Sequence, residues 1–145
     1  MIRLLEHKKM LTFKTFINES NVVFTYKGDD FVKNPVRHLN KHVTSSMEKA
    51  ITHDRKTRIK WKDDHGECDR EHQHKTVTLP ISKLYTDQST VTYNIDSGFK
   101  PSNEPIKVLV LKDGRHLIYD GNHRVFHAIM KNQSTIKAKL ILMKC

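Results

Sequence analysis

Five consecutive residues, Asp120-Gly121-Asn122-His123-Arg124, set a carboxylate, an imidazole and a guanidinium around one glycine. Their order suits a strand-to-helix turn that holds an anion. Glycine lacks a Cβ, so the backbone there can approach a ligand closely. The first amides of the following helix have no intrahelical acceptor and carry the positive end of its dipole. Phosphate suits such a place, and Arg124 would add a two-pronged donor. On this reading Gly121, Asn122, His123 and Arg124 bind phosphate. Asp120, His123 and Arg124 form the candidate catalytic set: Asp120 for a metal or hydroxyl, His123 as acid or base, Arg124 as clamp. The competing description is an ordinary capped turn.

A second group is basic. Arg37, Lys41 and Lys49 are followed by Arg55, Lys56, Arg58, Lys60 and Lys62, with Trp61 among them. The formal net charge of +10 favours polyanionic partners, nucleic acid ahead of acidic lipid. Cations would meet the backbone and Trp61 would stack on bases; an ordinary solvated surface is the alternative. The acids Asp63, Asp64, Glu67, Asp69 and Glu71 follow directly. A third group, His65, Cys68, His72 and His74, has zinc-binding side chains at loop spacing but no paired Cys-x-x-Cys, so no metal is assigned. His127 follows His123 at i+4, as packing or surface.

These residues need elements to position them. Val22–Tyr26 is a β-branched and aromatic run ended by a Lys27-Gly28-Asp29-Asp30 turn. Asn34-Pro35 marks a helix start, with Val36, Leu39, Val43, Met47, Ala50 and Ile51 as its apolar stripe. Residues 53–75 read as a charged loop with a short strand near Ile59 and Trp61. Thr76–Ile81 reads as a strand, with Pro80 implying a sheet edge or an ending there. Ile106–Leu111 and Arg115–Tyr119 form a hairpin around Lys112-Asp113-Gly114. A helix then runs to about Lys131, and a strand over 136–142 closes the chain. The class is α/β (α+β) with a mixed sheet. The 145 residues suit one domain with an extension. No apolar run reaches the roughly 18 residues of a membrane span, so no membrane partner is expected. Cys68 and Cys145 allow at most one bridge, and Cys145 is terminal, so reduced cysteines in a reducing compartment are expected.

The series Thr76 to Leu84, Gln88, Ile106 to Tyr119 and the Asp120–Arg124 box resembles the ParB/sulfiredoxin superfamily over residues 76–145. The resemblance implies a compact mixed-sheet domain whose box holds nucleotide phosphate or nucleic-acid backbone. Nuclease-like or phosphoryl-transfer chemistry, with a nucleotide and Mg²⁺ as cofactors, belongs to the same implication. Two departures narrow it. Sulfiredoxins carry a cysteine after the box glycine, where this chain has Asn122, so sulfinic-acid reduction is not expected. Partition proteins place Glu-Arg-Arg there, and Asn122-His123-Arg124 lacks that carboxylate.

The segment Met10 to Glu19 is similar to the capsid-targeting peptide of internal head proteins in large tailed phages. Those peptides end in an aliphatic residue, any residue, and glutamate; Ile17-Asn18-Glu19 matches, placing cleavage by a prohead protease between Glu19 and Ser20. The expected organisation is therefore a leader over 1–19, a basic strand-helix extension over 20–75 and a ParB-like domain over 76–145. The location implied is the virion head and then the host cytoplasm. The alternative function is a non-enzymatic effector that binds a host protein or DNA.

Overall fold

The computed structural model describes residues 22–93 and 104–145; the expected leader, Glu19 and Ser20 lie outside them. Strands β1 (Val22–Tyr26) and β2 (Asp29–Lys33) form a hairpin, and β3 (Arg37–His38) follows. Helix α1 spans Met47–Asp64. Next come β4 (Asp69–Pro80), a 3-10 turn at Ile81–Lys83, β5 (Leu84–Thr86) and β6 (Thr90–Tyr93). The rest is β7 (Ile106–Val110), β8 (His116–Asp120), α2 (Asn122–Met130) and β9 (Thr135–Lys144). The class is α+β, as expected. Strands β1-β2-β6 form one antiparallel sheet, and β3-β5-β8-β7-β9-β4 form a larger mixed one.

The hairpin β7–β8, helix α2 and strand β9 stand where the sequence placed them. Pro80 implies a sheet edge or an ending; β4 has both, lying at the sheet edge and ending at Pro80. It begins at Asp69, so the boundary expected at 75/76 falls inside it. β2 pairs with β6 and β3 with β5, which joins residues 22–38 to both sheets.

The helix expected from Asn34 is corrected. The Asn34 side chain accepts from Val36 N–H at 3.0 Å, so it caps a two-residue turn that leads into β3. The true cap is Ser46, whose hydroxyl accepts from Lys49 N–H at 3.2 Å. α1 therefore runs through the stretch expected to be loop. Its buried face, Ala50, Asp54, Thr57 and Trp61, has helical spacing, but two of its four members are polar. Hydropathy alone could not find that stripe.

Alternation along the strands sends neighbours to opposite sheet faces. Leu109, Leu117 and Ile141 pack with Trp61 of α1. Val108, Ile118 and Ala138 pack with Val125 of α2 on the other face. Phe126 and Met130 of α2 also cover Val32 and Val91 of the smaller sheet. The larger sheet is thus sandwiched, and α2 is wedged between both sheets.

The expectation of reduced cysteines is corrected too: Cys68 and Cys145 form a disulfide. The β4–β9 ladder places Asp69 opposite Lys144, which makes the flanking cysteines neighbours with a Cα separation of 4.1 Å. Linear position gave no hint of that pairing.

Candidate functional site

Between β8 and α2, Gly121 holds φ at 123°. A Cβ there would lie 2.4 Å from Ile106 Cγ2, so glycine is demanded by contact with β7 as well as by the backbone. Val125 N–H closes the first helical bond on Gly121 O at 3.0 Å, and the amides of Asn122, His123 and Arg124 precede it at the head of α2.

The side chains of the box are largely occupied. Asn122 Oδ1 accepts from Thr86 Oγ1 at 2.7 Å and from Asn34 Nδ2 at 3.4 Å. Asn34 also donates to Gln88 O at 3.0 Å. This network pins the turn to the β5–β6 connection. His123 Nε2 lies 3.1 Å from Thr92 Oγ1 on β6. Arg124 Nη1 donates to the carbonyls of Glu104 and Pro105, at 2.7 and 3.2 Å, and Nη2 reaches Asp120 at 3.4 Å. Three of its five N–H donors thus serve the protein. Arg124 holds the turn against the start of β7. Burial lowers the pKa of His127, one helical turn on from His123.

The box opens on a pocket of about 730 Å³. One wall is Asp120 to Arg124 with Tyr119. The rest of the lining is Arg58, Trp61 and Lys62 of α1, Asp87 and Gln88 from the β5–β6 connection, Glu104 and Ile118. Of the nine residues expected to meet nucleic acid, the three from α1 reach the pocket. Arg55, Arg58 and Lys62 share one flank of α1, whereas Lys49, Lys56 and Lys60 share the other. Arg37 donates to Tyr85 Oη at 3.1 Å, and Lys41 is exposed beyond β3. The stacking role expected for Trp61 is corrected. Only 5% exposed, it packs on Leu109, Leu111, Leu117 and Ile141 and donates Nε1–H to Asp87 at 2.9 Å.

The structure also places the histidine-rich groups. Cys68 is bonded to Cys145. His65 is buried, its Nε2 accepting from Lys112 N–H at 3.1 Å while Nδ1–H donates to Trp61 O at 2.8 Å. Both ring nitrogens are therefore used within the fold, and His65, Cys68, His72 and His74 form no zinc set. A different group, His38, His53 and Asp54, brings its ligand-type atoms within 4.8 Å of one another. Here the tautomer decides. His38 Nδ1 accepts from Asn40 N–H at 3.0 Å, so the ring proton sits on Nε2 and is donated to Asp54 Oδ1 at 3.0 Å. A metal at Nε2 would have to displace that proton and its bond. Asp54 also accepts from Ser89 Oγ at 2.6 Å and Ser89 N–H at 2.8 Å. Burial opposes the charge on Asp54, but the bonds from His38 and Ser89 outweigh it and lower its pKa. This clamp fixes α1 to β3 and to the segment that lines the pocket.

Sequence reasoning did not find Asn34, Thr86, Asp87, Asp54 or Ser89. All are buried polar residues, which periodicity scores as surface. No family model, curated protein or solved structure matches this chain.

Proposed function

We propose that the chain binds phosphate, of a nucleotide or of a nucleic-acid backbone, in the pocket between α1 and the Asp120–Arg124 turn. One observation carries this reading. Two residue groups that the sequence suggested separately, the basic run and the box, line one and the same cavity. Arg58 and Lys62 contribute positive charge to the cavity that the head of α2 also lines, where backbone N–H groups and the helix dipole add to it. Arg58 also pairs with Asp87 at 3.3 Å, which orients its guanidinium.

The reading favours binding over turnover. Asp120 faces Arg124, and His123 faces Thr92, so the candidate catalytic groups are engaged by the protein. The ParB-like relationship and packaging in a phage head, with a host protein or DNA as target, belong to the same proposal. On that view the packaged protein begins at Ser20, which mass spectrometry of virions would check.

Calorimetric titration of nucleotide tests the pocket. Lys62→Ala removes one charge-assisted bond of about 1.5–3 kcal/mol and weakens binding roughly tenfold to a hundredfold. A folded Lys62→Ala protein that binds as wild type does overturns the reading. Turnover of labelled nucleotide, lost in His123→Ala, would move it to phosphoryl transfer.

A further inference from the structure

Alternation and register define a surface that continues from the pocket. Leu109 of β7 and Ile141 of β9 point toward Trp61, so Lys107 and Lys139, each two residues away, share that face. They are direct cross-strand partners, and both are exposed. Arg70 of β4 pairs with Met143, which packs into the same cluster, so Arg70 lies on this side as well.

At the end of β8 the ladder is irregular. Ile118 pairs with Val108 and Asp120 with Lys107, which leaves Tyr119 as the extra residue of a β-bulge. The bulge re-aims the end of the strand, and Tyr119 and Asp120 both line the pocket. Tyr119 is 46% exposed, with the Arg70 guanidinium 5.5 Å from its ring centroid. The aromatic expected for base contact, Trp61, is buried; among the described residues the exposed one on this face is Tyr119.

We propose that this open half of the sheet takes a single strand of nucleic acid, with phosphates on Lys107, Lys139 and Arg70 and an unpaired base on Tyr119. An exposed ring beside a row of cations is the chemistry that holds single strands. A duplex hides its base faces and offers Tyr119 nothing to stack on. At its Arg58–Lys62 end the inference rests on the phosphate reading, because the same strand would run into the pocket. Its other end is independent of that reading.

Fluorescence anisotropy with a labelled 12-nucleotide oligothymidylate, beside calorimetry with ATP, separates the two. The expected result is tighter binding of the oligomer than of a 12-base-pair duplex or polyglutamate. Tyr119→Ala weakens oligomer binding roughly tenfold, while Tyr119→Phe keeps it. K107Q/K139Q makes the salt dependence shallower by about 1.4 in log–log slope, and K107R/K139R restores it. ATP binding stays at the wild-type level in K107Q/K139Q. Should the phosphate reading alone fail, ATP does not bind, yet these oligomer effects persist. Should the strand inference fail, Tyr119→Ala and K107Q/K139Q, folded by thermal melt, bind the oligomer as wild type does. Equal binding of duplex or polyglutamate also overturns it.

Discussion

Replacing Asp54, a polar residue on the buried face of α1, should destabilise this fold strongly. Its carboxylate accepts from His38 Nε2–H, Ser89 Oγ–H and Ser89 N–H, and Ser89 is fully buried. In Asp54→Ala the serine hydroxyl can rotate to another partner, but the Ser89 amide cannot. His38 cannot shift its proton to Nδ1 either, because Asn40 N–H already occupies that side. Two buried donors are left stranded at about 1–3 kcal/mol each, so the expected loss is about 2–6 kcal/mol. That is a large part of the roughly 5–15 kcal/mol available to a domain. Asp54→Asn keeps the shape, yet its NH₂ must face either the Ser89 amide or the His38 ring proton. It should recover less than half of the loss. Urea denaturation followed by circular dichroism measures both. An Asp54→Ala protein that loses under about 1 kcal/mol at unchanged m-value would show that the clamp does not hold α1.

Three further outcomes are expected. Burial lowers the pKa of His42, so the unfolded chain takes up that proton first, and stability should fall as pH drops below about 6.5. Asp54, also lowered, adds a second loss as pH falls below the ordinary 3.8 and through its folded value; a melting temperature independent of pH between about 7 and 4 refutes the His42 assignment, and one with no further fall below about 4 refutes that for Asp54. Gly121→Ala meets Ile106 and keeps a φ that side chains rarely adopt, so a loss of about 2–4 kcal/mol is expected in a thermal or urea melt. Reducing Cys68–Cys145, or replacing both cysteines with serine, should cost about 2–4 kcal/mol, and equal melts with and without reductant contradict that.

The parts of the fold that followed from sequence are those where one local signal sufficed. Gly28 and Gly114 mark tight turns with positive φ, and the apolar runs beside them are the strands. The Asp120–Arg124 turn stood out because a glycine separates a strand pattern from a helical one. What could not be read depends on partners distant in the chain. Asn34 looks like a helix cap until Ser89 and Gln88 are beside it, and Thr57 looks exposed until Asn40 donates to it at 2.8 Å. Nor could the sequence show that Arg124 also donates to the carbonyls of residues 104 and 105. Trp61 reads as a surface ring in a basic run, although the helix turns it inward.

The irregular pairing of β4 has a consequence for solubility. Among the described residues, nothing pairs with the outer edge of this twelve-residue strand, and such an edge is a template on which other chains can add. Its ladder to β9 breaks between His72 and Thr76, and Pro80 withholds an amide at the end. Asp69, Arg70, Glu71 and Lys75 place charge along it. The opposite edge, β3, is only two residues long. An incoming strand therefore finds no long, flat, neutral stretch to extend, which protects the sheet against edge-to-edge aggregation.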